Sequence, residues 1–253
     1  MLSIFGTEVS FKYLFLTFWR NQMSIGRASA VSKSDLAVRV GKVQLFSSLN
    51  PEQLSQLLTY AVHRKIPRTQ MMVALGEKTD SFYVILSGAM RVVVGDEEGR
   101  EVIVSILNSG DFFGEMGIID DEPRSASVVS AEPCEILVFS KDSFRAVLTE
   151  YPAVSWQLMR SLAQRLRVAT RKIETLALMD VYGRVARLLL DFSEDADSGK
   201  RFVSRRLSKQ DIARMVGASR EMVSRVMRDL TDRGLIQSAD GKIYLSSRLG
   251  VGL

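Results

Sequence analysis

The 253-residue sequence predicts an α+β protein: a β-barrel of the double-stranded jelly-roll type, then one long helix, then a winged helix-turn-helix. Three observations carry that prediction. Residues 62–140 alternate with the period of strands and are broken by glycines. Residues 152–179 carry a narrow apolar stripe at heptad spacing. Residues 180–253 are polar and basic, with two short helical patterns around a central glycine.

Composition sets the outer bounds. At 46% hydrophobic and 25% charged residues the chain has the apolar content of an ordinary globular protein. The net charge is +5, and residues 180–253 hold fourteen Lys or Arg against ten acids. Most of the positive excess therefore sits in the last third, which favours a polyanionic partner there. Cys134 is the only cysteine and His63 the only histidine, which excludes an intrachain disulfide and a cysteine-ligated iron–sulfur cluster and leaves no zinc or haem ligand set. A jelly-roll metal dioxygenase would need several ligands inside the barrel, so the chain is not read as an enzyme. Cys134, in the apolar run CEILVF, reads as a small buried residue, and His63, beside Arg64, as a surface residue of a basic connector.

The elements follow in order. Phe11–Trp19, FKYLFLTFW, is apolar but shorter than the roughly 20 residues of a membrane span. Glu8 before it and Arg20 after it fit a signal peptide poorly, although Ala28-Ser29-Ala30 resembles a cleavage site. Residues 1–35 are read as an extension, disordered or created by an upstream start with Met23 the true one. No membrane contact is expected, and the location is cytoplasmic. Residues 36–60 form short helices. Asn50 caps one of them, Pro51 occupies its first position, and Leu54, Leu57 and Leu58 line one face. Strands follow at 82–88, 90–94 and 102–107, with residues 95–99 as a hairpin turn, and then at 127–129 and 136–139. Ser140 caps a helix whose apolar face is Phe144, Val147 and Leu148.

After Tyr151-Pro152 a helix runs to about Met179. Leu162, Leu166, Ala169, Ile173 and Leu176 are spaced four, three, four, three, a heptad seam. Arg160, Arg165, Arg167, Arg171 and Lys172 make the other faces wet. A narrow seam on a wet helix points to a coiled coil with a second copy of the chain rather than burial in one subunit. Residues 191–204 read as a polar loop.

Residues 207–230, LSKQDIARMVGASREMVSRVMRDL, hold two helices around Gly217. Ser208 with Asp211 resembles a capping box, and Ser219 caps the second helix. Ala213 is small where the helices must cross. Residues 234–245 add a hairpin with an Asp240-Gly241 turn, completing a winged helix. The outward face of the second helix carries Ser219, Arg220, Glu221, Ser224, Arg225 and Arg228. Arginine pairs bidentately with guanine, and a carboxylate accepts from cytosine N4, so Arg220, Glu221 and Arg225 are the candidate base readers; the remaining basic residues suit phosphates. The reading is a reader of double-stranded DNA.

One stretch fits no simple strand: GDFFGEMGIIDDEPRSASV, residues 110–128. A turn requires glycine but not Glu115, Arg124 and Ser125 at that spacing. Three motifs give it a context: GEKTDSFYVILSGAMRVVVGDEEGREVIVSILNSGDFFGEMG, then LALMDVYGRVARLLL, then GASREMVSRVMRDLTDRGLI. With these, residues 36–248 resemble the cyclic-AMP receptor protein (catabolite activator) family of bacterial transcription regulators. The resemblance implies a sensor domain at 36–151, a dimerisation helix at 152–179 and a DNA-binding domain at 180–253. It makes the odd stretch a phosphate-binding cassette. Gly114 would let the backbone approach the sugar, Glu115 would accept from the ribose 2′-hydroxyl, and Arg124 and Ser125 would bind the cyclic phosphate.

Where the family has a Thr-Ser pair on the long helix, contacting adenine, this chain has Ala169 and Thr170, so one hydroxyl is missing. The expected ligand is cyclic AMP, with cyclic di-GMP as the alternative. A further alternative is a ligand-independent DNA binder with the barrel as scaffold. The resemblance also implies a homodimer on a TGTGA-like palindrome and a contact with RNA polymerase.

Overall fold

The computed structural model describes residues 32–250 except 79, 97, 99, 196–200, 204–206 and 240. The apolar segment 11–19 and the alternative start at Met23 lie outside the described residues.

Two short helices open the described residues, α1 (Lys33–Gly41) and α2 (Pro51–Leu57). The first begins inside the stretch read as an extension, capped by Ser32. The second has a full capping box: Asn50 Oδ1 accepts from Gln53 N at 2.9 Å, and Gln53 Oε1 accepts from Asn50 N at 3.0 Å.

The barrel strands are β1 (Ala61–Ile66), β2 (Met71–Val73), β3 (Ser81–Ser87), β4 (Met90–Gly95), β5 (Glu101–Leu107) and β6 (Phe112–Phe113). A one-turn helix α3 (Met116–Ile119) then precedes β7 (Ser127–Ser130) and β8 (Cys134–Ser140). They form two four-stranded antiparallel sheets, ordered β1-β8-β3-β6 and β2-β7-β4-β5. Between the sheets lie Ile66, Ile85, Phe113, Cys134 and Ile136 from one side and Val73, Met90, Leu107 and Val128 from the other.

Strand β3 explains its own unbroken apolar run. Tyr83 and Ile85 enter the barrel, while Phe82, Val84 and Leu86 face a second core. That core is closed by helices α4 (Lys141–Glu150) and the start of α5 (Pro152–Leu178), together with α1 and α2. Phe82 stacks on Phe144 with ring centroids 3.8 Å apart. A strand buried on both faces shows no alternation, which is why period alone describes it poorly.

His63 departs from the expectation. It lies within β1, its side chain 19% exposed and 3.4 Å from Glu135 of β8. Arg39 and Lys65 approach the same carboxylate, so the site is a charge cluster on the sheet rather than a connector.

The last third is a separate packing unit: α6 (Val181–Asp191), β9 (Glu194–Asp195), β10 (Arg201–Val203), α7 (Lys209–Val216), α8 (Arg220–Asp232), β11 (Ile236–Ala239) and β12 (Lys242–Leu245). The polar stretch 191–204 is therefore not all loop. Arg201 and Phe202 pair with Asp195 and Glu194, and β10 joins β12, giving the sheet order β11-β12-β10-β9. Alternating Phe202 and Val203 supply that pairing: Val203 enters the core with Ile212, Val223 and Leu245, and Phe202 packs on Tyr244. Among the described residues, no helix is long and apolar enough to cross a membrane.

Candidate functional site

The cassette begins where β6 ends. Gly114 has φ +86°, a conformation that side chains rarely adopt. A Cβ there would sit 2.5 Å from Arg124 Nη1 and 2.8 Å from Ser81 O. The glycine therefore makes room for the arginine beneath it, a constraint distinct from close approach to a sugar. Arg124 is 6% exposed. It donates from Nη1 to Gly114 O at 3.0 Å and from Nη2 to Ser81 O at 2.7 Å, and lies over the Tyr83 ring. Its backbone is pinned as well, through Arg124 N to Glu77 O and Gly76 N to Arg124 O, both 2.9 Å.

Glu115 is 3% exposed at the start of α3. Burial pushes its carboxyl up from the ordinary range, and the Arg165 guanidinium opposes that rise. Arg165 reaches down from α5: Nη1 meets Glu115 Oε1 at 2.9 Å, and Nη2 donates to Phe112 O at 2.5 Å. Its guanidinium lies 4.3 Å from the centre of the Phe112 ring. The sequence shows Arg165 only as one of several charges flanking the seam. Nothing in a 50-residue separation signals that it meets Glu115. The end of the cassette is also tied, because Asp121 is held by Lys141 and Arg145 of α4. Ser125 is exposed, and its hydroxyl faces Met116 Sδ at 3.7 Å.

Thr170 is exposed on α5, its hydroxyl donating to Leu166 O of its own helix at 3.0 Å. The seam is divided. Leu162 packs partly on the sensor core, whereas Leu166, Ile173 and Leu176 are 69%, 67% and 54% exposed, and Ala169 is also exposed.

The DNA reader is built from caps. Ser208 Oγ accepts from Asp211 N at 3.0 Å, and Gly217 ends α7 in the left-handed region at φ +63°. Ala218 N then bonds Ala213 O at 3.1 Å, turning the chain into α8. Ser219 caps α8, accepting from Met222 N at 3.1 Å. Val223 and Leu230 are buried against α6 and α7 residues, which leaves Arg220, Glu221, Arg225 and Arg228 exposed, with Ser224 partly covered. The helix's own N–H, the Ser219 hydroxyl, Arg220 and Arg225 hold the Glu221 carboxyl below its ordinary range, so it remains an acceptor. In the wing, Lys242 Nζ lies 4.5 Å from the centre of the Phe202 ring. Residue 240 of the expected Asp-Gly turn lies outside the described residues.

A jelly-roll sensor joined by a long helix to a winged helix with an exposed cationic reading face defines a DNA-binding transcription regulator. Known proteins agree. Residues 63–151 match the model of the cyclic nucleotide-binding domain, and residues 183–249 that of the Crp-like helix-turn-helix domain. The chain is 36% identical over 191 residues to the cAMP-activated global transcriptional regulator Vfr of Pseudomonas aeruginosa, covering 73% of this chain and 89% of that protein. It is 36% identical over 192 residues to the cAMP-activated global transcriptional regulator CRP of Salmonella typhimurium, covering 75% and 91%. Among solved structures, it resembles the c-di-GMP responsive global regulator CLP of Xanthomonas campestris, with a TM-score of 0.68 at 26% identity, over 78% of this chain and 100% of that one. The chain belongs to the CRP family of transcription regulators and is not an enzyme.

Proposed function

We propose that the protein is a cytoplasmic homodimer, switched by cyclic AMP, that reads a TGTGA-like palindrome and contacts RNA polymerase. One observation carries the ligand half: a carboxylate and a guanidinium, Glu115 and Arg124, are both buried on one glycine-led cassette. Buried charges are expensive unless they serve a partner or each other. Arg124 would supply charge-assisted donors to a cyclic phosphate, and Ser125 a hydroxyl beside it. Glu115 would accept from a ribose hydroxyl, in exchange for part of its bond to Arg165. Because Arg165 belongs to α5, that exchange would pass ligand binding to the long helix. The exposed stripe of Leu166, Ala169, Ile173 and Leu176 would be covered by the same stripe of a second copy.

On DNA, Arg220 and Arg225 would pair with guanines and Glu221 with a cytosine, and Ser219, Ser224 and Arg228 would hold phosphates. Two copies would place their α8 helices about 34 Å apart, one helical turn. The ligand must bind the DNA-competent arrangement more tightly, or it shifts nothing.

Cyclic di-GMP is the second reading. It is favoured by Ala169, which offers no hydroxyl to a base, and by the similarity to CLP. Calorimetric titration with cyclic AMP, cyclic GMP and cyclic di-GMP, paired with gel-shift titration on a palindromic TGTGA duplex, tests both. Binding of none of the three, with DNA affinity unchanged by all, would leave only the scaffold reading.

A further inference from the structure

On α8, Val223 and Leu230 are buried, and Val226 and Met227 pack beside them into the core of the winged helix. Met222 does not join them. Among the described residues of the winged helix it is the one large apolar side chain left exposed, at 39%. A single exposed apolar residue is ordinary on a protein surface. Its place here is not.

Met222 stands in the first turn of α8, its N–H bonded to the Ser219 cap. The first turn of a reading helix is the part that reaches base edges. A helix turns about 100° per residue, so Met222 lies about 60° from Arg225, on the flank of the face that carries Glu221, Ser224, Arg225 and Arg228. Met222 and Arg225 are three residues apart and therefore neighbours on the helix surface. An apolar arm thus runs beside an exposed guanidinium, at the end of the helix that points into the groove.

The charged residues of that face read hydrogen-bonding groups. Thymine offers one further mark in the major groove, its C5 methyl group, which only an apolar contact can read. Methionine suits that contact, being unbranched, flexible and polarizable. We propose that Met222 is a specificity-determining residue whose side chain packs on the methyl group of a thymine neighbouring the guanine paired with Arg225. The contact rests on the proposed reading of α8 as the helix that lies in the major groove of a TGTGA-like site. It adds a preference for thymine that Arg220, Glu221 and Arg225 do not supply.

The test is a gel-shift titration of the full-length chain on the palindromic TGTGA duplex, with cyclic AMP, with cyclic di-GMP and with neither. The thymines of one half-site, two on the TGTGA strand and one opposite its adenine, are replaced in turn by uracil, which lacks only the methyl group. Burying one such group shifts an equilibrium about fourfold. The wild type is therefore expected to lose about fourfold in affinity at one of these positions. Met222→Ala and Met222→Gln should bind the thymine duplex about fourfold more weakly and should not distinguish thymine from uracil there. Both replacements are good helix formers at an exposed site. A general loss of structure would weaken binding to both duplexes alike, so the preference between them reports the contact itself. Wild-type binding that ignores every methyl group would overturn the proposal, and so would either variant that keeps the preference. Failure to bind the palindrome in all three conditions would overturn the TGTGA reading and the thymine contact built on it, whereas tight binding without a methyl preference removes the Met222 contact alone.

Discussion

In the cassette, Glu115 and Arg124 are buried and already bonded to protein; on α8, Arg220, Glu221 and Arg225 stand exposed on one helix face. Both groups are charged, but they were assembled under different constraints. Buried charges must be satisfied within the fold, and carbonyls of Ser81 and Gly114 and the Arg165 guanidinium satisfy these. The reading helix waits in water, where an unpaired arginine costs little. Mutations in the two sites should therefore fail differently: in the cassette, binding and folding fall together, while on the helix only binding falls.

The largest effect is expected at Arg124. Arg124→Leu leaves Ser81 O and Gly114 O without their buried donors, costing about 2–4 kcal/mol of stability in a urea melt. Nucleotide affinity measured by calorimetry should fall about a hundredfold or more. If the variant keeps wild-type stability, the comparison breaks on its buried side; if its DNA binding remains fully ligand-dependent, the phosphate role is wrong.

Next comes Arg225→Ala. A bidentate arginine–guanine pair contributes about 1–3 kcal/mol of discrimination, so affinity for the palindrome should fall about ten- to a hundredfold. Stability should stay within about 0.5 kcal/mol, since the side chain is exposed. A large loss of stability would show that α8 relies on Arg225 internally.

The same contrast explains what could be read from the sequence. The reader was legible almost entirely, because Ser208, Gly217 and Ser219 act on their own neighbours and local caps are written in local spacing. The barrel was legible where glycines mark turns. The hairpin of Glu194–Asp195 with Arg201–Val203 was not, because its strands are short and its stabilisation comes from β12, whose paired residues lie 40 to 44 positions on. His63 was misplaced for the same reason: its strand is defined by pairing with β8. In the cassette, glycine, acid and arginine were visible, but Arg165 was not. It lies on another element, and its meeting with Glu115 is a product of the tertiary fold.

Smaller effects follow from Glu115. Its pKa is raised above the ordinary 4.5, chiefly by burial. The folded state thus holds the proton more strongly than the unfolded chain does. The contribution of this group to stability is greatest below pH 4.5 and declines as pH rises through the window between the ordinary and the folded value. Glu115→Gln removes that decline, so its stability relative to wild type should improve from pH 4 upward and level off above the folded pKa. Arg165→Gln, which takes away the opposing cation, should deepen the decline. Urea melts across that range check both signs. A variant–wild-type difference that ignores pH would place Glu115 among the solvated acids, on the wrong side of the comparison.

The smallest effect separates the two ligands. Ala169 is exposed on α5, at the position where the family resemblance expects a hydroxyl that reaches the base. Ala169→Thr adds one donor without disturbing the cores within the chain; threonine costs a helix a few tenths of a kcal/mol, and because the position also lies in the proposed seam, dimer stability is measured beside affinity. A net hydrogen bond contributes about 0.5–1.5 kcal/mol, which corresponds to a two- to tenfold gain in cyclic AMP affinity. Cyclic di-GMP presents guanine and a second nucleotide in place of adenine, and should gain nothing from the same hydroxyl. Calorimetry of both nucleotides on both proteins decides the matter. A gain for cyclic AMP alone places adenine against α5 and sharpens the division of labour, with the phosphate held by buried charge and the base judged by an exposed helix. Equal responses would mean that residue 169 does not see the base, and that the cassette alone sets affinity.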